Sequence, residues 1–185
     1  DLPLLDLPME NAALALQAYA LTELPWQPER IASALLRTRV TGRLDRRQFS
    51  WQGKALNVLL DVGHNPHAAD YLVRRLRQRP VSGRRLAVFG LLADKDLDGV
   101  VSAFDGCIEH WAVAPLNTSR TRPAAQLQAT LEQRGASVSV HGSVAEALQA
   151  QSEQASPGDE IVLFGSFYCV AEALEWLEPH VTQEA

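Results

Sequence analysis

The sequence predicts an α/β domain: a doubly wound, mostly parallel sheet of six strands with one antiparallel edge strand, preceded by two helices. Three observations predict it. From residue 44 onward, short apolar runs alternate with helical periodicities. The turns between them are short, which makes successive strands parallel and puts crossover helices on both faces. One pair of runs, residues 48–51 and 55–60, flanks Gln52-Gly53, a hairpin signal that supplies the antiparallel edge.

The elements follow in order. Residues 11–21 carry Ala12, Ala13, Leu16, Tyr19 and Ala20 at helical spacing, and Pro28 opens a second helix with Ile31, Leu35 and Leu36 on its apolar side. Two such helices hold too little apolar surface to form a domain, so residues 1–40 read as the tail of an upstream unit. Residues 41–43, with Gly42, read as a hinge, and residues 44–185 as the α/β domain. After the hairpin, Asn65 is a good N-cap and Pro66 a good first helical residue, with Ala68, Ala69, Leu72, Val73 and Leu76 recurring behind them. Strands are predicted at 85–90, 108–114, 137–140 and 160–164. Helices are predicted at 97–104, at 123–134 closed by Gly135, from the capping box Ser143-Val144-Ala145-Glu146, and at 168–178.

Composition excludes several classes. The 185 residues are 46% apolar and 21% charged with a net charge of −5, so a soluble globular chain without a basic nucleic-acid footprint is expected. The arginine clusters at 43–47 and 74–77 read as solvated faces. No apolar run approaches the roughly 20 residues that span a bilayer, and no signal-peptide pattern is present. Cys107 and Cys169 stand alone, without a C-x-x-C or a His-rich partner run. They read as two buried thiols in a reducing, cytoplasmic setting rather than as a disulfide or zinc site.

In a wound sheet, ligands bind beyond the carboxyl ends of the strands. The residues in question are therefore 61–65, 90–95, 114–122 and 165–166. In Asp61-Val62-Gly63-His64-Asn65-Pro66-His67, Asp61 offers acceptors for ribose hydroxyls. His64 offers a contact to ribose, phosphate or carboxylate beside a helix N-terminus. The plainer reading, a capped helix start, carries equal weight. A metal site from Asp61, His64 and His67 is disfavoured, since a turn and Pro66 intervene. Lys95, in Asp94-Lys95-Asp96, offers a point charge to phosphate, or simply lies in a solvated turn. Ser166, after Gly165, can bond an anion or cap a helix; without a G-x-S-x-G elbow it is no nucleophile. Neither a G-x-x-x-x-G-K-[ST] P-loop nor a G-x-G-x-x-G turn occurs, so this Rossmann-like sheet would need most phosphate contacts from elsewhere.

Taken together, the Asp-x-x-His-Asn-Pro-His run, Asn11-Ala12-Ala13, Gly42-Arg43, Asp94-Lys95-Asp96, Ala114-Pro115-Leu116 and Gly165-Ser166-Phe167 resemble the C-terminal part of the folylpolyglutamate synthase/dihydrofolate synthase family, within the Mur ligase superfamily. The resemblance covers essentially the whole chain, with residues 1–40 matching the last helices of the family's central domain. It implies an ATP- and Mg2+-dependent ligase that phosphorylates a carboxylate and couples it to L-glutamate, with dihydropteroate or the tail of a folate as acceptor. It implies nucleotide binding by Asn11, Arg43 and Asp61, and glutamate or nucleotide positioning by His64, Ser166 and, more weakly, Lys95. The P-loop, the metal ligands and the pterin pocket belong to the family's upstream domains, so no catalytic and no metal-ligating residue is expected here. This portion alone is expected to be inactive and to bind ATP or ADP weakly. A monomer is expected. Two rival readings are a Mur-type ligase that extends a UDP-sugar peptide, and a non-catalytic nucleotide-binding or interaction module.

Overall fold

The computed structural model describes Leu5 and residues 7–180; the outer ends of the expected segments 1–40 and 44–185 lie outside the described residues. Two helices come first, α1 (Met9–Ala20) and α2 (Pro28–Arg37). They are followed by β1 (Asp45–Trp51), β2 (Lys54–Asp61), α3 (Pro66–Gln78), β3 (Arg85–Phe89), α4 (Leu97–Ser102) and β4 (His110–Val113). Then come α5 (Ala124–Gln133), β5 (Val138–Val140), α6 (Val144–Gln154), β6 (Glu160–Phe164) and α7 (Phe167–Leu177). The strand order is β1-β2-β6-β3-β4-β5. Among the described strands, β1 and β2 pair antiparallel and every other strand pairing is parallel. The hairpin closes through Gln52 and Gly53, both at positive φ (49° and 78°), the conformation that matches the twist of paired strands.

Three crossovers, α3, α4 and α5, cover one face of the sheet. There Leu72, Leu76, Val100, Phe104 and Leu127 pack on Leu59, Phe89, Trp111, Val113 and Phe164. Phe104 stacks on Phe164 with ring centroids 4.4 Å apart. After β5 the chain returns, and α6 and α7 cover the other face, with Leu148, Val170 and Leu177 against Phe49, Leu60, Val88 and Leu163. β6, the apolar run Glu-Ile-Val-Leu-Phe, is buried along its whole length because it is flanked by strands on both sides and helices on both faces.

Capping residues act as their types predict. Asn65 accepts from Ala68 N at 2.9 Å and Ser143 from Glu146 N at 3.1 Å. Arg43, Arg74 and Arg77 are exposed, as expected of a solvated face, whereas Arg46 is not. Arg46 lies 3.5 Å from Glu160, whose second oxygen takes Arg85 at 3.2 Å, and Arg85 also donates to the Leu76 carbonyl in the last turn of α3. The carboxylate sits on β6, so these arginines turn inward to neutralise a charge the sheet has buried. Cys169 is buried as expected, whereas Cys107 is only half-buried; both are free, and burial raises both thiol pKa values.

The first two helices keep apolar side chains in the open: Leu14 is 64% exposed, Leu21 89% and Trp26 53%. No helix among the described residues is long and apolar enough to cross a membrane.

Candidate functional site

Three separate segments meet at the carboxyl edge of β2. The first is the start of α1, which brings Pro8, Glu10 and Asn11. The second is the turn between α2 and β1, which brings Arg43 and Leu44. The third is the end of β2 with the first three turns of α3, bringing Asp61, Asn65, His67, Ala68, Tyr71 and Arg74. Together they line a cleft of about 360 Å³. Asn11, Arg43 and Asp61, singled out from sequence, thus share one cavity.

Asp61 is the last residue of β2 and is only 6% exposed. One carboxylate oxygen accepts from Leu44 N at 2.9 Å and the other from Gly63 N at 2.7 Å. Burial pushes its pKa above the ordinary 3.8, while these two bonds and the Arg43 charge pull it down. A carboxylate oxygen has more than one lone pair, so each retains capacity toward the cleft.

Arg43 is held by its neighbours' backbone. Gly42 has φ +72°, and a Cβ there would lie 3.0 Å from Val62 Cγ1 and 3.1 Å from Val170 Cγ1. The Gly42 carbonyl accepts from Val62 N at 2.8 Å. Only glycine meets both demands, positive φ and close packing. Gly42 is therefore pressed between the end of β2 and α7, and the next residue, Arg43, is delivered to the cleft.

His64 and Ser166 follow strands that pair directly, with Asp61 opposite Phe164, so the two turns leave the same edge side by side. Neither lines the cleft. His64 Nδ1 lies 2.9 Å from the Val62 carbonyl, which places the proton of a neutral ring on Nδ1 and leaves Nε2 as an acceptor. Ser166 is 3% exposed, and its hydroxyl accepts from Tyr168 N at 3.1 Å, the helix-cap role. Gly165, at φ +116°, lets this turn lie against the Gly90 carbonyl, where any side chain would collide.

Lys95 is not brought to these residues. Its Nζ lies 2.9 Å from Asp94, and it borders a separate hollow with Arg122 and Gln126. The reason is topological: Lys95 follows β3, and β6 stands between β3 and β2.

Sequence reasoning missed Tyr71 and Arg74 as cleft residues and weighed His67 only as a metal ligand. The signal was present: 67, 71 and 74 have the i, i+4, i+7 spacing of one helical stripe. Among the described residues, no group of three or more His, Cys, Asp or Glu side chains is placed to hold a metal ion.

Sheet order, crossovers and a cleft at the strand ends define a doubly wound α/β domain. Residues 42–167 match the glutamate ligase domain of the Mur ligases. The chain belongs to the Mur ligase family. The dihydrofolate synthase/folylpolyglutamate synthase of Escherichia coli is 36% identical over 178 residues, 96% of this chain and 40% of that protein. Among solved structures, the Yersinia pestis bifunctional folylpolyglutamate synthase/dihydrofolate synthase complexed with AMPPNP and Mn ion superposes with a TM-score of 0.82 at 35% identity, covering 96% of this chain and 41% of that one. Escherichia coli FolC in complex with DHPP and ADP gives 0.81 at 35% identity, with the same coverage. The chain thus spans about 40% of the length of these relatives and corresponds to a C-terminal portion of them.

Proposed function

We propose that this chain is the portion of an ATP-dependent acid–amino-acid ligase that closes over the nucleotide and the incoming L-glutamate. The acceptor is dihydropteroate, a folylpolyglutamate, or both. The observation that carries this reading is the shared cleft: Asn11, Arg43 and Asp61, drawn from three segments, line one cavity at the carboxyl edge of the sheet. Its chemistry suits a nucleoside phosphate. Asp61 accepts from ribose hydroxyls, Arg43 offers a forked set of donors to phosphate, and Asn11 supplies both a donor and an acceptor.

In the proposed reaction, an acceptor carboxylate oxygen attacks the γ-phosphorus of ATP, releasing ADP and leaving an acyl phosphate. The glutamate amine then attacks the acyl carbon, phosphate departs and the amide forms. The residues of this chain hold and orient; none is assigned as nucleophile or base. Among the described residues no group of three or more His, Cys, Asp or Glu side chains is gathered to hold Mg2+, so the ligands for that ion belong to the upstream part of the ligase in this reading.

The domain division follows the same reading: residues 1–40 finish a central nucleotide-hydrolysing unit, 41–43 form the hinge, and 44–185 the moving domain. The site is cytoplasmic in this reading and the protein a monomer. Calorimetry with ADP tests it. The isolated chain is expected to bind ADP more weakly than the low micromolar range, with binding weakened further, but still measurable, in Arg43→Ala, and to show no glutamate ligation. A full-length protein carrying this segment is expected to ligate glutamate to dihydropteroate or tetrahydrofolate. Failure with both acceptors overturns the assignment.

A further inference from the structure

Arg43 makes no side-chain hydrogen bond or ion pair with any of the described residues; its guanidinium carbon lies 5.9 Å above the centroid of the Phe167 ring. Phe167 is itself an anomaly. Of the five phenylalanines, Phe49, Phe89, Phe104 and Phe164 are at most 2% exposed, whereas Phe167 is 62% exposed. A large apolar ring in the open at a strand-end turn calls for a reason other than core packing.

The two side chains meet through a register between the hinge and α7. Val170 packs on Gly42, and Phe167, three residues earlier and therefore on the same side of the helix, underlies Arg43. Consecutive hinge residues thus sit on successive turns of one helix face. Both backbones are fixed independently: Arg43 N donates to the Val40 carbonyl at 2.9 Å, and Ser166 caps the turn that launches Phe167.

The partner chosen for Arg43 matters chemically. A carboxylate would occupy the guanidinium's in-plane N–H fork. An aromatic face attracts the cation through its quadrupole and leaves all five donors free. An arginine so held is oriented yet unspent, and loses less rotamer freedom when an anion arrives.

We propose that Phe167 is a positioning residue for Arg43: its ring is a platform that presents the guanidinium to the phosphate groups of a nucleotide in the adjoining cleft. The inference rests on the nucleotide reading above and adds to it a residue outside the cleft lining.

The test is an NMR titration of this chain with ADP, comparing wild type, F167L, F167W and R43A. In the ligand-free wild type, ring current is expected to move the Arg43 side-chain N–H resonance upfield, and F167L to remove that shift. F167L is expected to weaken ADP binding about two- to fivefold, the strength of an exposed cation–aromatic contact, while F167W restores it. In an Arg43→Ala background, Phe167→Leu is expected to add nothing. Equal ADP affinity in wild type and F167L, or the same loss with Arg43 already removed, overturns the platform while leaving the nucleotide reading intact. An absence of ADP-induced shifts at Asn11 and Asp61 in the wild type overturns the nucleotide reading, and the platform with it.

Discussion

The carboxylate of Asp61, at the end of β2, accepts the backbone N–H of Leu44, at the start of the domain, at 2.9 Å. The acid singled out as a ligand contact is thus also the clasp that fixes the segment leading into β1 to the end of β2. Its other oxygen takes Gly63 N at 2.7 Å, so the same side chain shapes the turn that carries His64. One buried group sets the position of residues on both sides of it.

Asp61→Ala leaves two buried backbone N–H groups without an acceptor and is expected to destabilise the domain by about 1–3 kcal/mol, measured by urea denaturation. The pH dependence has a definite sign. Because the folded-state pKa lies above 3.8, Asp61's contribution to stability is greatest below that value and declines as pH rises through the raised one. A carboxyl titration by NMR with an Asp61 midpoint at or below 3.8 contradicts this.

Gly42→Ala forces an L side chain into a left-handed conformation, with its Cβ 3.0 Å from Val62 Cγ1. The backbone conformation alone costs about 1–2 kcal/mol. Displacement of the hinge is expected to weaken ADP binding as well. A variant that melts and binds as wild type does would show that the hinge is not pinned there.

Lys54 donates to the carbonyls of Ser152, Glu153 and Ala155, each at 2.9 Å, and so closes the C-terminal end of α6. Its cation also complements the negative end of that helix. Lys54→Met is expected to cost about 1 kcal/mol in chemical denaturation without altering ADP binding, since it lies at the opposite edge of the sheet from the cleft.

Asp94 is held at a pKa of about 2 by the Lys95 ammonium first and the Arg120 guanidinium second. A depressed carboxyl stabilises the fold above its unfolded value of 3.8 and loses that contribution as pH falls toward 2. Lys95→Met is expected to shift the Asp94 midpoint upward toward 3.8, read by carbon-detected NMR. An unmoved midpoint would mean that Lys95 is not engaged by Asp94.

Much of this architecture is legible in one dimension, because the signals are local. Pro66 after Asn65, Ser143 three residues before Glu146, and Gln52-Gly53 between two alternating runs each specify a turn or cap through neighbours in sequence. The insertion of β6 between β2 and β3 is not local, and nothing along the chain announces it. The same holds for the inward turn of Arg46, whose partner Glu160 is near only in space. Tyr71 and Arg74 reveal a stripe by their spacing, yet which stripe of α3 faces the cleft depends on where α1 comes to rest. The motif residues fall close together because they follow strand ends, and a wound sheet gathers its strand ends along one edge.

The strand order also governs the sequence of events at the ribosome. β6, which bonds to β2 on one side and β3 on the other, is the last of the described strands to be synthesised. Until residues 160–164 emerge, β2 and β3 have no partner along those edges, and the nascent chain carries two open, apolar strand borders. Joining the two halves of the sheet is a late, long-range event that follows translation of nearly the whole domain. Nascent chains that stop before β6 should therefore be ready substrates for chaperones and proteases, however well their separate helices and hairpin have formed.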